Sequence, residues 1–145
     1  MEPKLPAKIL SKSGPTDLTT FTRGKVLALY FAGFWCGPCR AFTPRLAKFY
    51  NEVNKIEQQL QILFISGDES ASDFDEFYKD MPWLTIPYED ETREDLGEGY
   101  KVSSVPCLIL IDKDGKIKKD KAHVDLKNSN PKTSEEIFES WKSLY

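Results

Sequence analysis

The chain has 145 residues, 40% of them hydrophobic and 12% aromatic, enough for one domain, residues 1–145, with a substantial core. The net charge is −3, and the one local excess of base, Lys113 to Lys121, is broken by Asp114 and Asp120, so nothing in the balance asks for nucleic acid. No run approaches the ~18 apolar residues of a membrane span, Met1 to Pro6 has no apolar leader, and three cysteines do not make a secreted framework, so a soluble protein of a reducing compartment is expected.

In chain order, Lys8 to Leu10 is a short apolar patch before the turn cluster Ser11 to Pro15, and Thr16 to Phe21 fits either a short edge strand or a turn of helix. Val26 to Ala32 is almost continuously apolar, as a strand covered on both faces would be. Then Phe42, Leu46, Phe49, Tyr50, Val53 and Ile56 recur at helical spacing over about four turns, with Pro44 expected to interrupt and kink the helix.

Leu60 to Ser66 reads as a second buried strand passing into the polar loop Gly67 to Ser70, after which Ser72 or Asp73 begins a helix with Phe74, Phe77 and Tyr78 on one face. Leu84 to Tyr88 is a brief extended piece, and Glu91 to Leu96 a short acidic helix closed by Gly97 or Gly99. Cys107 to Asp112 is a third apolar strand, joined to Lys116 to Lys118 by the turn signal Asp114-Gly115. Thr133 to Glu136 has capping-box spacing and opens a last helix with Ile137, Phe138, Trp141 and Leu144 facing inward. The order βαβα(α)ββα predicts an α/β fold, a central mixed sheet with helices on both faces.

The chemistry is concentrated in Trp35-Cys36-Gly37-Pro38-Cys39-Arg40, at the junction of the first buried strand with the long helix. Unpaired amides at a helix start favour an anion, here a thiolate, and low-pKa cysteines of Cys-X-X-Cys pairs occupy such positions. Gly37 permits the tight turn, and Pro38 fits the first helical turn and stiffens the ring between the sulfurs. Three thiols and one histidine, with no second Cys-X-X-Cys, are a poor tetrahedral metal set. Redox chemistry is the better reading: Cys36, the more exposed sulfur, attacks a substrate disulfide, and the more buried Cys39 resolves the mixed disulfide.

These residues resemble a known family. The hexapeptide after a buried strand, Val105-Pro106 before a later strand, and the Asp112 to Gly115 turn look like the thioredoxin superfamily. Phe42-Thr43-Pro44, Asp68-Glu69-Ser70, Met81-Pro82-Trp83-Leu84 and Pro87-Tyr88 resemble its tryparedoxin and nucleoredoxin branch. The resemblance covers about Leu27 to His123 and implies a thioredoxin-like fold, a redox-active Cys36–Cys39 disulfide and no other cofactor. It also implies a cis bond at Pro106, with the Val105 backbone offered to an extended substrate, and places Asp68 and Glu69 near the substrate surface. Without it, that pair reads as a helix-capping loop.

The departures from the family are specific. Tryparedoxins usually carry a second proline where this chain has Gly37, and thioredoxins a buried aspartate where it has Tyr30, so no carboxylate is available there to take the Cys39 proton. At Gly67 and near His123 tryparedoxins place a tryptophan and an arginine that help receive a glutathionylspermidine-type donor. Cys107 stands where these families have threonine, and reads as a small core hydrophobe or as a third thiol near the site.

The expected activity is therefore that of a thiol–disulfide oxidoreductase reducing protein disulfides, with Cys36 and Cys39 catalytic and Trp35, Gly37, Pro38, Val105 and Pro106 in contact with the partner. Peroxiredoxins are the expected acceptors, a reductase or low-molecular-weight dithiol the donor. A redox-sensitive binding module of nucleoredoxin type is the alternative. Arg40 is expected to be a solvated helix residue that also favours anionic partners, and His123 a surface residue rather than a base. A cytoplasmic or nuclear monomer with no metal, membrane or nucleic-acid partner completes the expectation.

Overall fold

The structure, a computed structural model, describes residues 4–127 and 130–145; the amino-terminal reading at Met1 to Pro3 lies outside them. The chain runs β1 (Lys8–Ser11), β2 (Gly14–Asp17), α1 (Leu18–Thr22), β3 (Val26–Ala32), α2 (Gly37–Val53), β4 (Leu60–Ser66), α3 (Ala71–Tyr78), β5 (Leu84–Thr85), α4 (Thr92–Gly99), β6 (Cys107–Ile111), β7 (Ile117–Lys119), a 3-10 turn (Ala122–Leu126) and α5 (Ser134–Lys142). Among the described residues the strands form one sheet in the order β2-β1-β5-β4-β3-β6-β7. β3 pairs parallel with β4 and antiparallel with β6, so the sheet is mixed and β3 lies well inside it.

The apolar runs are continuous because successive side chains pass to opposite faces and both faces are covered. Ala28, Tyr30, Ile62, Phe64, Leu108 and Leu110 pack with Phe42, Leu46 and Phe49 of α2, Phe74 and Phe77 of α3, and Ile137, Phe138 and Trp141 of α5. On the other face Leu27, Leu29, Phe31, Leu63, Ile65, Ile109 and Ile111 pack with Leu18 of α1 and Leu96 of α4. Each large side chain taken fully from water here stabilises the fold by about 1.5–3 kcal/mol.

Several expectations need correction. The Ser11–Pro15 cluster does more than turn, since Gly14 and Pro15 already belong to β2, and Leu18–Thr22 is a helix. α2 runs unbroken through Pro44. It ends at Val53, leaving Ile56 97% exposed instead of on the buried face. Ser70, not Ser72 or Asp73, caps α3, its hydroxyl accepting from the Asp73 amide at 3.1 Å. Of Leu84 to Tyr88 only Leu84–Thr85 pairs as a strand. Thr133 and Glu136 form the expected capping box, but Leu144 lies beyond α5 and is exposed.

Candidate functional site

β3 ends at Ala32, and Gly33 to Trp35 turn the chain into α2, whose N-cap is Cys36. The Cys36 amide donates to the Gly33 carbonyl at 3.1 Å, closing that turn. The Cys39 amide, one of the unpaired donors of a helix start, donates to Cys36 Sγ at 3.2 Å. The thiol in turn donates to the Val105 carbonyl at 3.8 Å, across a cis Val105–Pro106 bond. Both cysteines are free thiols, Cys36 7% exposed and Cys39 fully buried one turn further along α2.

Burial pushes the Cys39 thiol up to about 12, with the Cys36 contact and the Asp68 charge acting the same way and a Gly33 backbone hydrogen bond opposing them. Tyr30 lies entirely buried on the same face, its phenol raised by burial above the ordinary value. The pair thus stands with its inner sulfur protonated and its outer sulfur framed by one amide and one carbonyl.

Trp35 is 62% exposed, its indole N–H donating to the Gly67 carbonyl at 3.1 Å. Gly37 and Pro38 are exposed beside it, and Val105 and Pro106 are half-buried. Arg40 is exposed, with its guanidinium 5.4 Å from the centre of the Phe34 ring. These residues converge on one end of the sheet. Glu69 is exposed in the adjoining loop.

Asp68 and His123 stand differently from the sequence reading, and Cys107 takes the place of a small core hydrophobe, one of its two readings. Asp68 does not cap a helix, that place at the start of α3 being taken by Ser70. It is 3% exposed, and its carboxylate accepts from the Phe34 amide at 2.7 Å and the Ser66 hydroxyl at 2.8 Å. Cys107 lies in β6 on the sheet face opposite Cys36 and Cys39, packed among Phe31 and Ile109, with burial raising its thiol to about 11. His123 is half-buried in the 3-10 turn, its Nδ1 accepting from the Leu108 amide at 3.1 Å and its ring set edge-on to Phe42. Sequence reasoning missed Arg93 altogether: it donates to the Tyr88 carbonyl at 2.7 Å and the Ser66 carbonyl at 2.6 Å, beneath the Asp68 turn. Its spacing in an acidic helix gave no signal of that reach. Among the described residues, no group of three or more His, Cys, Asp or Glu side chains could hold a metal ion, and no helix is long and apolar enough to cross a membrane.

Comparison with known proteins bears on the family and the fold. The thioredoxin-like family profile matches residues 24–117. Tryparedoxin of Trypanosoma brucei brucei is 44% identical over 107 residues, 73% of either chain. Probable nucleoredoxin 1 of Arabidopsis thaliana is 44% identical over 95 residues, 65% of this chain but only 16% of that protein's length. The crystal structure of thioredoxin from Wuchereria bancrofti superposes with a TM-score of 0.78 at 31% identity, covering 97% of this chain and 99% of that one.

Proposed function

Because this chain belongs to the thioredoxin-like family and has a thioredoxin-like fold, we propose that it is a dithiol–disulfide oxidoreductase acting on protein disulfides through Cys36 and Cys39. The observation that carries this reading is the framing of Cys36 Sγ between the Cys39 amide, at 3.2 Å, and the Val105 carbonyl, at 3.8 Å. An amide of the helix start stabilises negative charge on that sulfur, and the half-buried Val105 backbone gives an extended segment something to pair with.

In the reaction, the Cys36 thiolate attacks one sulfur of a substrate disulfide, and the other leaves as a thiolate that takes up a proton. Cys39, having lost its proton, then attacks Cys36 Sγ. The Cys36–Cys39 disulfide closes and the second substrate thiol is released, so two electrons pass to the substrate. Peroxiredoxins are the acceptors we infer, with a flavoenzyme reductase or a low-molecular-weight dithiol restoring the pair. We place this exchange in the cytoplasm or nucleus and assign the protein no dissociable cofactor.

The test is reduction of insulin with dithiothreitol as donor. Activity well above the background of dithiothreitol alone, lost in Cys36→Ser, is expected. An inactive wild type that captures a partner only when reduced would favour the other reading, a regulatory binding module using the exposed Trp35. Comparing thioredoxin reductase, glutathione and trypanothione as reductants of the oxidised protein then identifies the donor.

A further inference from the structure

Asp68 is 3% exposed, yet among the described residues no lysine or arginine forms an ion pair with it. A buried carboxylate with no cation is costly to desolvate, so what it accepts from defines its use. Oδ1 accepts from the Phe34 amide at 2.7 Å, and Oδ2 accepts from the Ser66 hydroxyl at 2.8 Å. The Ser66 oxygen accepts in turn from the Asp68 amide at 2.9 Å. Ser66 is itself held at its carbonyl by Arg93. A bracket therefore runs from α4 through the end of β4 to the amide two residues before Cys36.

Around that amide the two strand ends are sewn together. The Gly67 amide donates to the Ala32 carbonyl at 2.9 Å, and the Trp35 indole to the Gly67 carbonyl at 3.1 Å. The Asp68 carboxylate is the only charged member of this set, and a charge-assisted N–H···O bond is roughly twice as strong as a neutral one.

We propose that Asp68 is a positioning residue of the dithiol site: its carboxylate, braced by Ser66, holds the Phe34 amide and so fixes the Gly33–Cys36 turn that aims the Cys36 sulfur. This rests on the dithiol reading of the site and adds to it a residue that touches neither sulfur by a hydrogen bond. The influence of the Asp68 charge on the Cys39 thiol, after those of burial and Cys36, agrees with this placement.

The test follows the resolving step with Ellman's reagent in a Cys107→Ala background. The Cys36 thiolate displaces one coloured thiolate and keeps the other in a mixed disulfide, which Cys39 releases as the Cys36–Cys39 bond closes. Asp68→Ala is expected to slow the second release by about tenfold or more, because a loosened turn misaligns the sulfurs. Asp68→Asn keeps an acceptor for the Phe34 amide and is expected to stay within about threefold of the parent.

An Asp68→Ala rate within threefold of the parent overturns the proposal even if that variant is less stable, as does an Asp68→Asn as slow as Asp68→Ala. Should Asp68→Ala not fold, Ser66→Ala decides: release slowed by at least about threefold supports the brace, and an unchanged rate overturns it. Wild-type inactivity toward insulin would sink the functional reading while leaving these rates measurable.

Discussion

Tyr30 Oη lies 2.7 Å from Thr43 Oγ1 in the core beneath the cysteine pair. The Thr43 proton is already committed to the Cys39 carbonyl at 2.8 Å, so the phenol is the donor. Where a thioredoxin would place a carboxylate, this chain places a neutral group that supports the first turns of α2. Tyr30→Phe is expected to lower stability to urea by about 1 kcal/mol, the usual worth of one buried hydrogen bond. Insulin reduction should persist; a loss comparable to that of Cys36→Ser would mean the phenol takes part in proton transfer.

Cys107 belongs to the face of the sheet that the cysteine pair does not share, and burial raises its thiol to about 11. Cys107→Ala should leave insulin reduction within about twofold of wild type, since only a small buried side chain is shortened. Alkylation of the native protein by iodoacetamide should find Cys107 only after unfolding. Labelling of Cys107 as fast as Cys36 would contradict the placement.

Gly33 lies under the Trp35 indole, where an added Cβ would collide with Nε1. Gly33→Ala must therefore displace the ring and break its bond to the Gly67 carbonyl. Trp83 and Trp141 are buried, so the change should appear as a red shift of emission and easier acrylamide quenching of the one exposed tryptophan. Unaltered quenching would show that the ring is not seated as described.

His123 is held below its ordinary value of 6.5 chiefly by burial, with Lys127 and Lys121 adding to the effect and Asp120 opposing it. The unfolded chain therefore binds this proton more readily than the folded one. The stabilisation is complete above the ordinary value and is lost as pH falls from there through the folded one. Wild-type stability to urea should thus fall between pH 7.5 and 5 by more than that of His123→Asn, which has nothing to titrate. Parallel curves would exclude His123 as the source.

The central strands and their boundaries were legible because a strand covered on both faces must be apolar throughout, as Val26–Ala32 and Leu60–Ser66 are. The amino-terminal hairpin was obscure, since β1 is fixed partly by tertiary pairing of Leu10 with Thr85, about which neighbouring residues say nothing. Ile56 carried the helical period of α2 but falls past its end at Val53. At the site, Val105-Pro106 was legible only through the family resemblance, whereas the cysteine pair announces itself by type and spacing. Asp68 does not, because its role depends on an amide 34 positions away in sequence. His123 was misplaced for a similar reason: its partner, the Leu108 amide, reaches it only once β6 lies beside the 3-10 turn.

The sheet order has a consequence for how the protein behaves when concentrated. Its outer strands are β2, which contains Pro15 and carries the Lys8–Asp17 ion pair across its ladder with β1, and β7, which carries Lys118 and Lys119 and is preceded by Lys116. Proline offers an incoming strand no N–H, and clustered lysines repel a second copy of themselves. Both margins thus discourage edge-to-edge stacking into aggregates, even though the strands between them are apolar enough to drive it.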